Sequence, residues 1–234
     1  MAQEHLSKRY DQDLETIRSR VLQMGGLVEE QFRDAMASLH EGSAAMAEKV
    51  IQGDVEVNRL DVSLDNVCTQ LIVRRQPAAN DLRTVMATTK IVTDLERIGD
   101  EATKIARSAK NLQNRNVVLM NHYQTIRGIA DTASDMLHDA LDAFARLDRE
   151  LAVKLIGRDA LIDREFNAMM IDLIDCMTKE PLTISASLDL LWIAKAIERI
   201  GDHATNVAEQ VIYIVEGKDI RHTDYATTQT DLQE

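Results

Sequence analysis

Glu96-Arg97-Ile98-Gly99-Asp100 and Glu198-Arg199-Ile200-Gly201-Asp202 are the same five residues, and the match runs on through Ala102-Thr103 and Ala204-Thr205. Each copy sits in a stretch whose apolar residues step by three and four. Around the first copy these are Ile91, Leu95, Ile98, Ala102 and Ile105; around the second they are Ile193, Ile197, Ile200, Ala204 and Val207. That stepping is the seam of an amphipathic helix. At about 100° per residue, Glu96 and Asp100 share one helix face, and Glu198 and Asp202 share the matching face of the second copy. The apolar stripe is centred roughly 140° away from each pair. The paired carboxylates are therefore expected to point out of the core, toward solvent, a partner or a bound ion.

Two further landmarks repeat around this block. Cys68 and Cys176, Pro77 and Pro181, and Glu96 and Glu198 recur in one order, at a spacing that falls from 108 to 102 residues. A drifting offset is what changes of loop length after a duplication produce. A period near 100 residues is far too long for a solenoid and means two similar small domains.

The rest of the chain reads as helix in the same way. Leu14, Ile17, Val21, Met24 and Val28 begin a first helix, continued by Phe32, Met36 and Leu39. Gly25-Gly26 interrupts its seam, either as a kink or as a place where another helix packs closely. The stop is expected near His40 to Ser43, at Gly42. A second helix is expected over Ala44–Arg75, with a weak point at Gly53. Pro77 suits the first turn of a third helix, where a missing N–H costs nothing. The polar stretch Asn111 to Asn116 reads as a linker. A fourth helix follows through Ile126, Ile129, Ala133, Met136, Ala140 and Ala143. A fifth is expected over Leu151–Met177, and Pro181 opens a sixth. Three antiparallel helices with short connections make an up-down-up bundle. The expected fold is thus all-α: two tandem three-helix bundles over 1–113 and 117–218, then a polar tail over 219–234.

Composition agrees and excludes several classes. The chain has 234 residues, is 45% apolar but only 3% aromatic, and carries two prolines, so its core is aliphatic and its helices long. A net charge of −12 disfavours nucleic acid, whose binding needs Lys and Arg to displace counterions. Met1 to Tyr10 hold no apolar leader and no run approaches the ~20 residues that span a bilayer, so a cytoplasmic place without membrane insertion is expected. Cys68 and Cys176 have no CxxC or zinc-finger spacing and are expected as two small buried hydrophobes.

The chemistry rests on the copied block. A glycine inside a helix costs about 1 kcal/mol against alanine, so Gly99 and Gly201 imply that something approaches the backbone closely: a metal cluster, a helix or a partner chain. Oxygen-only ligands favour hard cations, which makes Glu96, Asp100, Glu198 and Asp202 candidate metal ligands. Asn206, two turns beyond Glu198, adds a further oxygen. Its counterpart Lys104 does not, so unequal sites are expected, the first half being the weaker candidate. Arg97 and Arg199 are candidates for partner binding, with ordinary local ion pairs as the plainer reading.

The doubled block resembles the paired signature of the PhoU family, and Arg75 to Arg83 and Asp142 to Arg146 are similar to segments of its members. The resemblance covers nearly the whole chain. It implies two three-helix bundles, commonly a homodimer, with a multinuclear iron cluster, another metal or none on Glu96, Asp100, Glu198, Asp202 and Asn206. In function it implies a negative regulator of the phosphate-starvation response. Such a regulator modulates phosphate uptake as an adaptor between the ATPase subunit of a phosphate ABC transporter and a phosphate-sensing histidine kinase, peripheral to the inner membrane through those partners.

No enzyme is expected. The sequence has no Walker A loop, GxGxxG, GxSxG or HExxH. The alternative is a metal-binding helical carboxylate protein with an enzymatic or storage role. Its di-iron form needs Glu-x-x-His motifs facing into a bundle, and none of the six histidines follows a Glu by three.

Overall fold

The computed structural model describes residues 2–113 and 120–221. In chain order the elements are α1 (Ala2–Glu41), α2 (Ala44–Arg75), α3 (Asn80–Gln113), α4 (Met120–Arg146), α5 (Arg149–Ile156), α6 (Asp159–Lys179) and α7 (Ile184–Glu216). A 3-10 turn, Pro181–Thr183, leads into α7. Among the described residues there is no strand. The all-α fold is as expected, in two three-helix halves: α1 to α3, and α4 to α7 with α5 and α6 sharing the middle place. Residues 114–116 of the expected linker and 222–234 of the expected tail lie outside the described residues. Helix α3 itself runs on to Gln113, into the polar stretch.

Helix ends follow local chemistry. Gly42 takes a left-handed φ of 61°, which ends α1. Ser43 then caps α2, its Oγ accepting from the Met46 N–H at 3.3 Å. Two expectations need correction. Pro77 does not begin the third helix. Gln76 caps α2 in the left-handed region, its N–H donating to the Ile72 carbonyl, and Pro77 follows as a residue that cannot prolong the helix. The fifth helix is not continuous. It breaks at Gly157-Arg158, where Arg158 reaches back to Asp139 at 2.6 Å and Asp135 at 3.7 Å on α4.

The two copied helices form the centre. Their apolar stripes, including Ile91, Leu95, Ile98 and Ile105 on α3 and Ile193, Ile197, Ile200 and Val207 on α7, are fully buried. Each such side chain contributes about 1.5–3 kcal/mol of transfer free energy. Among the described residues, α3 and α7 make the most extensive helix contact. They run antiparallel: Arg83 donates to the Ile214 carbonyl near one end, and Arg199 pairs with Glu101 at 3.0 Å further along. Between these, Asp94 Oδ1 meets His203 Nδ1 at 2.9 Å and accepts from Asn206 Nδ2 at 3.0 Å. A second contact joins α1 to α4. A Cβ on Gly25 would stand 2.4 Å from Leu141 Cδ2, whereas Gly26 faces open space. Of the two readings of that glycine pair, close helix packing is the one observed, and α1 is continuous through it.

Candidate functional site

The glycines of the copied block show what approaches the backbone in each half. A Cβ on Gly99 would lie 3.2 Å from Val57 Cγ1 and 3.4 Å from Asp54 Oδ1, both on α2. A Cβ on Gly201 would lie 2.8 Å from Ile162 Cδ1 and 3.7 Å from Asp159 Oδ1, both on α6. The pairs correspond, Asp54 with Asp159 and Val57 with Ile162, each 105 residues apart. At Gly99 the Gln31 Oε1 of α1 stands closer still, at 3.1 Å, but the neighbour common to both halves is the middle helix of the same bundle, and it delivers acids to the signature pair.

In the second half these acids converge. Single oxygens of Asp163, Glu198 and Asp202 lie within 4.8 Å of one another, the one such grouping of three among the described residues. Crowding raises the Asp202 carboxyl to about 6, first through burial, then through Glu198 and Asp159. Asp159 is raised as well, by burial and by Asp163. Lys195 answers the charge locally: its Nζ lies 2.5 Å from both oxygens of Glu198 and 5.3 Å from the centroid of the Phe166 ring.

The first half is built differently. Glu96 is half-buried and Asp100 exposed. Burial, Asp100 and Asp61 push Glu96 upward, with Asp54 adding to the rise and Arg97 opposing it. Asp54 is held by two amides, Asn58 Nδ2 at 3.1 Å and Gln31 Nε2 at 3.2 Å. Gln31 is buried, and its Oε1 has no hydrogen-bond partner.

The outward direction expected for the carboxylates needs correction in the second half. Asp100 is exposed and Asp202 half-buried, but Glu198 is only 9% exposed. It lies about 40° nearer the apolar stripe than Asp202, and Gly201 lets α6 close over it. Asn206 directs its amide to Asp94 across the seam. Lys104 pairs with buried Glu101 at 2.9 Å. The Asn206–Lys104 contrast thus marks the seam between the halves. Arg97 is exposed, while Arg199 pairs with Glu101 of the other half.

Asp54, Asp61, Asp159, Asp163 and Lys195 escaped the sequence reading. One signal was present: the acidic or amide pair Asp54/Asn58 recurs as Asp159/Asp163 at the repeat spacing. As donors, three converging carboxylates fit a hard cation such as Mg²⁺, Mn²⁺ or iron, supplying charge and oxygen ligands without a soft donor. The residues that would hold it are Asp163, Glu198 and Asp202 in the second half; among the described residues the first half brings no three acids so close together, and Asp100, Asp61 and Asp54 act on Glu96 through their charge.

In class this is a duplicated three-helix-bundle protein that sets an acidic cluster between the middle and last helix of each half. The family model described as the PhoU domain matches it twice, over residues 21–109 and 126–211. The chain belongs to the PhoU family. The phosphate-specific transport system accessory protein PhoU of Escherichia coli K12 is 40% identical over 220 residues, 93% of this chain and 90% of that protein. The PhoU homolog of Pseudomonas putida is 42% identical over 229 residues, 98% of this chain and 89% of that protein. The crystal structure of PhoU from Pseudomonas aeruginosa matches with a TM-score of 0.87 at 41% identity, covering 89% of this chain and 100% of that one. These relatives are named as accessory proteins, not as enzymes.

Proposed function

We propose that this chain is a non-enzymatic accessory regulator of phosphate transport. It restrains the phosphate-starvation response by linking the ATPase subunit of a phosphate ABC transporter to a phosphate-sensing histidine kinase. The observation that carries this reading is family membership over nearly the whole chain, at 40% identity to a protein named for that transport system. The acidic clusters supply the chemistry. Carboxylates that raise one another's pKa seek a cation, whether a divalent metal or a Lys or Arg of a partner. Exposed Arg97 offers a complementary contact at the edge of α3, and half-buried Arg199, paired with Glu101, lies at the matching place on α7.

No helix of the described residues is long and apolar enough to cross a membrane, so contact with a transporter runs through protein partners. A cytoplasmic homodimer, peripheral to the inner membrane, completes the proposal. The net charge of −12 keeps nucleic acid out of it.

The test is co-purification. Tagged wild type is expected to retain the transporter ATPase and the kinase from a detergent extract of phosphate-replete cells. The variant with Glu96, Asp100, Glu198 and Asp202 all changed to Ala is expected to lose both. Unchanged recovery of both partners would remove the carboxylates from the docking role.

A further inference from the structure

We propose that the first turns of α7 form the face on which a second copy of this chain docks, α7 laid antiparallel on α7. The inference rests on the homodimer of the reading above, and adds to it which face joins the copies and which half stays free.

Ile184, Leu188 and Trp192 follow one another at four-residue steps on one side of α7, and are 42%, 41% and 64% exposed. Leu182, in the turn before them, is 91% exposed. Thr183 meets Cys176 and Lys195 meets Phe166, so the antiparallel register of α6 on α7 places Ile174, also exposed, level with the span from Ile184 to Leu188. Residues 181–194 hold one charged side chain, Asp189, which is buried, in a chain that is 28% charged. Large exposed apolar groups gathered with no charge among them mark a contact surface. The first half does not repeat it. At the 102-residue spacing of the copied block, Thr183, Ser185 and Trp192 stand where the first half has Asp81, Arg83 and Lys90. Two of those charges, Arg83 and Lys90, lie over the Tyr213 ring, 5.9 and 5.6 Å from its centroid.

Symmetry and charge together name the occupant. In a two-fold pair one patch serves both copies, so a contact from one residue to a second is matched by the reverse contact. Antiparallel pairing about Leu188 meets that condition, because the steps on either side of it are equal: Leu188 meets Leu188, and Ile184 of each copy meets Trp192 of the other. Charge then favours a copy over another partner. A basic partner would be drawn to the acidic clusters, whereas two chains of net charge −12 repel wherever their charged surfaces meet. The uncharged face of α7 is where two copies close at the least electrostatic cost. Lys195, one turn beyond Trp192, comes opposite Glu180 and Pro181 of the copy, which sets unlike charges at each edge of the apolar centre.

Trp192 is the chain's only tryptophan, so its fluorescence reports on this face alone. The experiment is sedimentation equilibrium of the full chain, with tryptophan emission read over the same concentrations. Wild type is expected to be a dimer whose emission moves to longer wavelength as dilution dissociates it. Leu188→Glu sets two carboxylates against each other on the axis; it is expected to weaken the dimer about a hundredfold or more and to keep the emission at long wavelength. Ser185→Arg gives α7 the charge that α3 carries at Arg83, and is expected to weaken the dimer about tenfold. Met86→Glu, at the first-half counterpart of Leu188, is expected to leave it unchanged. Circular dichroism melting confirms that each variant is folded, and Ser185→Arg carries the test if Leu188→Glu is not. A dimer that keeps its wild-type strength in the α7 variants, is broken as strongly by Met86→Glu, or dissociates without a change in emission would overturn the inference and leave the homodimer in place. A chain monomeric at every concentration would remove the homodimer as well; an emission that then shifted only on adding the transporter ATPase would give the face to that partner.

Discussion

Gly25 and Gly26 are neighbours in sequence and opposites in environment. A methyl at Gly25 runs into three atoms of Leu141, the nearest at 2.4 Å, while a methyl at Gly26 meets nothing. Gly26→Ala is therefore expected to stabilise the protein by about 0.5–1 kcal/mol, through helix propensity alone. Gly25→Ala is expected to destabilise it by about 1–3 kcal/mol, because overpacking outweighs that gain. Urea denaturation of both variants decides; equal shifts would mean that α4 does not press on α1 at this point. Glu209 gives a second prediction at this scale. Burial pushes its carboxyl up to about 7, against the pull of Arg221 and with Asp219, Asp94 and Asp159 adding to the rise. A folded pKa above the unfolded one contributes stability that is present below the unfolded value of 4.5 and lost as pH rises through about 7. Glu209→Gln should raise the melting temperature at pH 8, and the gain should shrink toward zero near pH 5. A pH-independent difference would contradict the cause given. In sequence the carboxylate block was plain because it is copied. Lys195 was not, because a lysine three residues before a glutamate on a helix is ordinary, and only the fold shows both oxygens of Glu198 on it.

Among the elements, the helix limits legible in the sequence are those set by local chemistry. Gly42, Ser43 and the run Ala44–Arg75 end and begin where capping predicts, because each terminus is decided within four residues. The break in the middle helix of the second half was hidden, since its periodicity continues across Gly157 and the cause lies on α4. Two features hold the short α5 in place: the Asp148 cap, whose Oδ1 accepts from the Leu151 N–H at 3.0 Å, and the tie from Arg158 to Asp139. Asp148→Ala is expected to cost about 1 kcal/mol and to speed amide exchange within 149–156 before the rest of the half. Exchange that accelerates evenly over α4 to α7 would show that α5 is not an independent unit. The acids of α2 and α6 were equally hard to see. Asp54 and Asp159 look like members of a solvated face until Gly99 and Gly201 bring those helices against the signature pair.

For the whole molecule, duplication explains both likeness and difference. The repeat gives two bundles with one plan, and the antiparallel seam of α3 on α7 joins them. That seam could not be read from sequence, because Asp94 and His203 are 109 residues apart and follow no periodic rule. Asp94 is a shared acceptor there, so Asp94→Ala is expected to destabilise the protein by about 1–3 kcal/mol by orphaning buried His203 and half-buried Asn206. A loss below about 0.3 kcal/mol would mean that solvent satisfies them.

The regulatory account itself is tested most directly in the cell that owns the gene. The gene is deleted, and alkaline phosphatase is read in phosphate-rich medium with wild type or the four-Ala variant at Glu96, Asp100, Glu198 and Asp202 restored. Deletion is expected to raise the enzyme, wild type to silence it, and the variant, shown folded by its melting curve, to leave it high. Phosphatase that stays low after deletion would contradict negative regulation, and silencing by the variant would contradict the site.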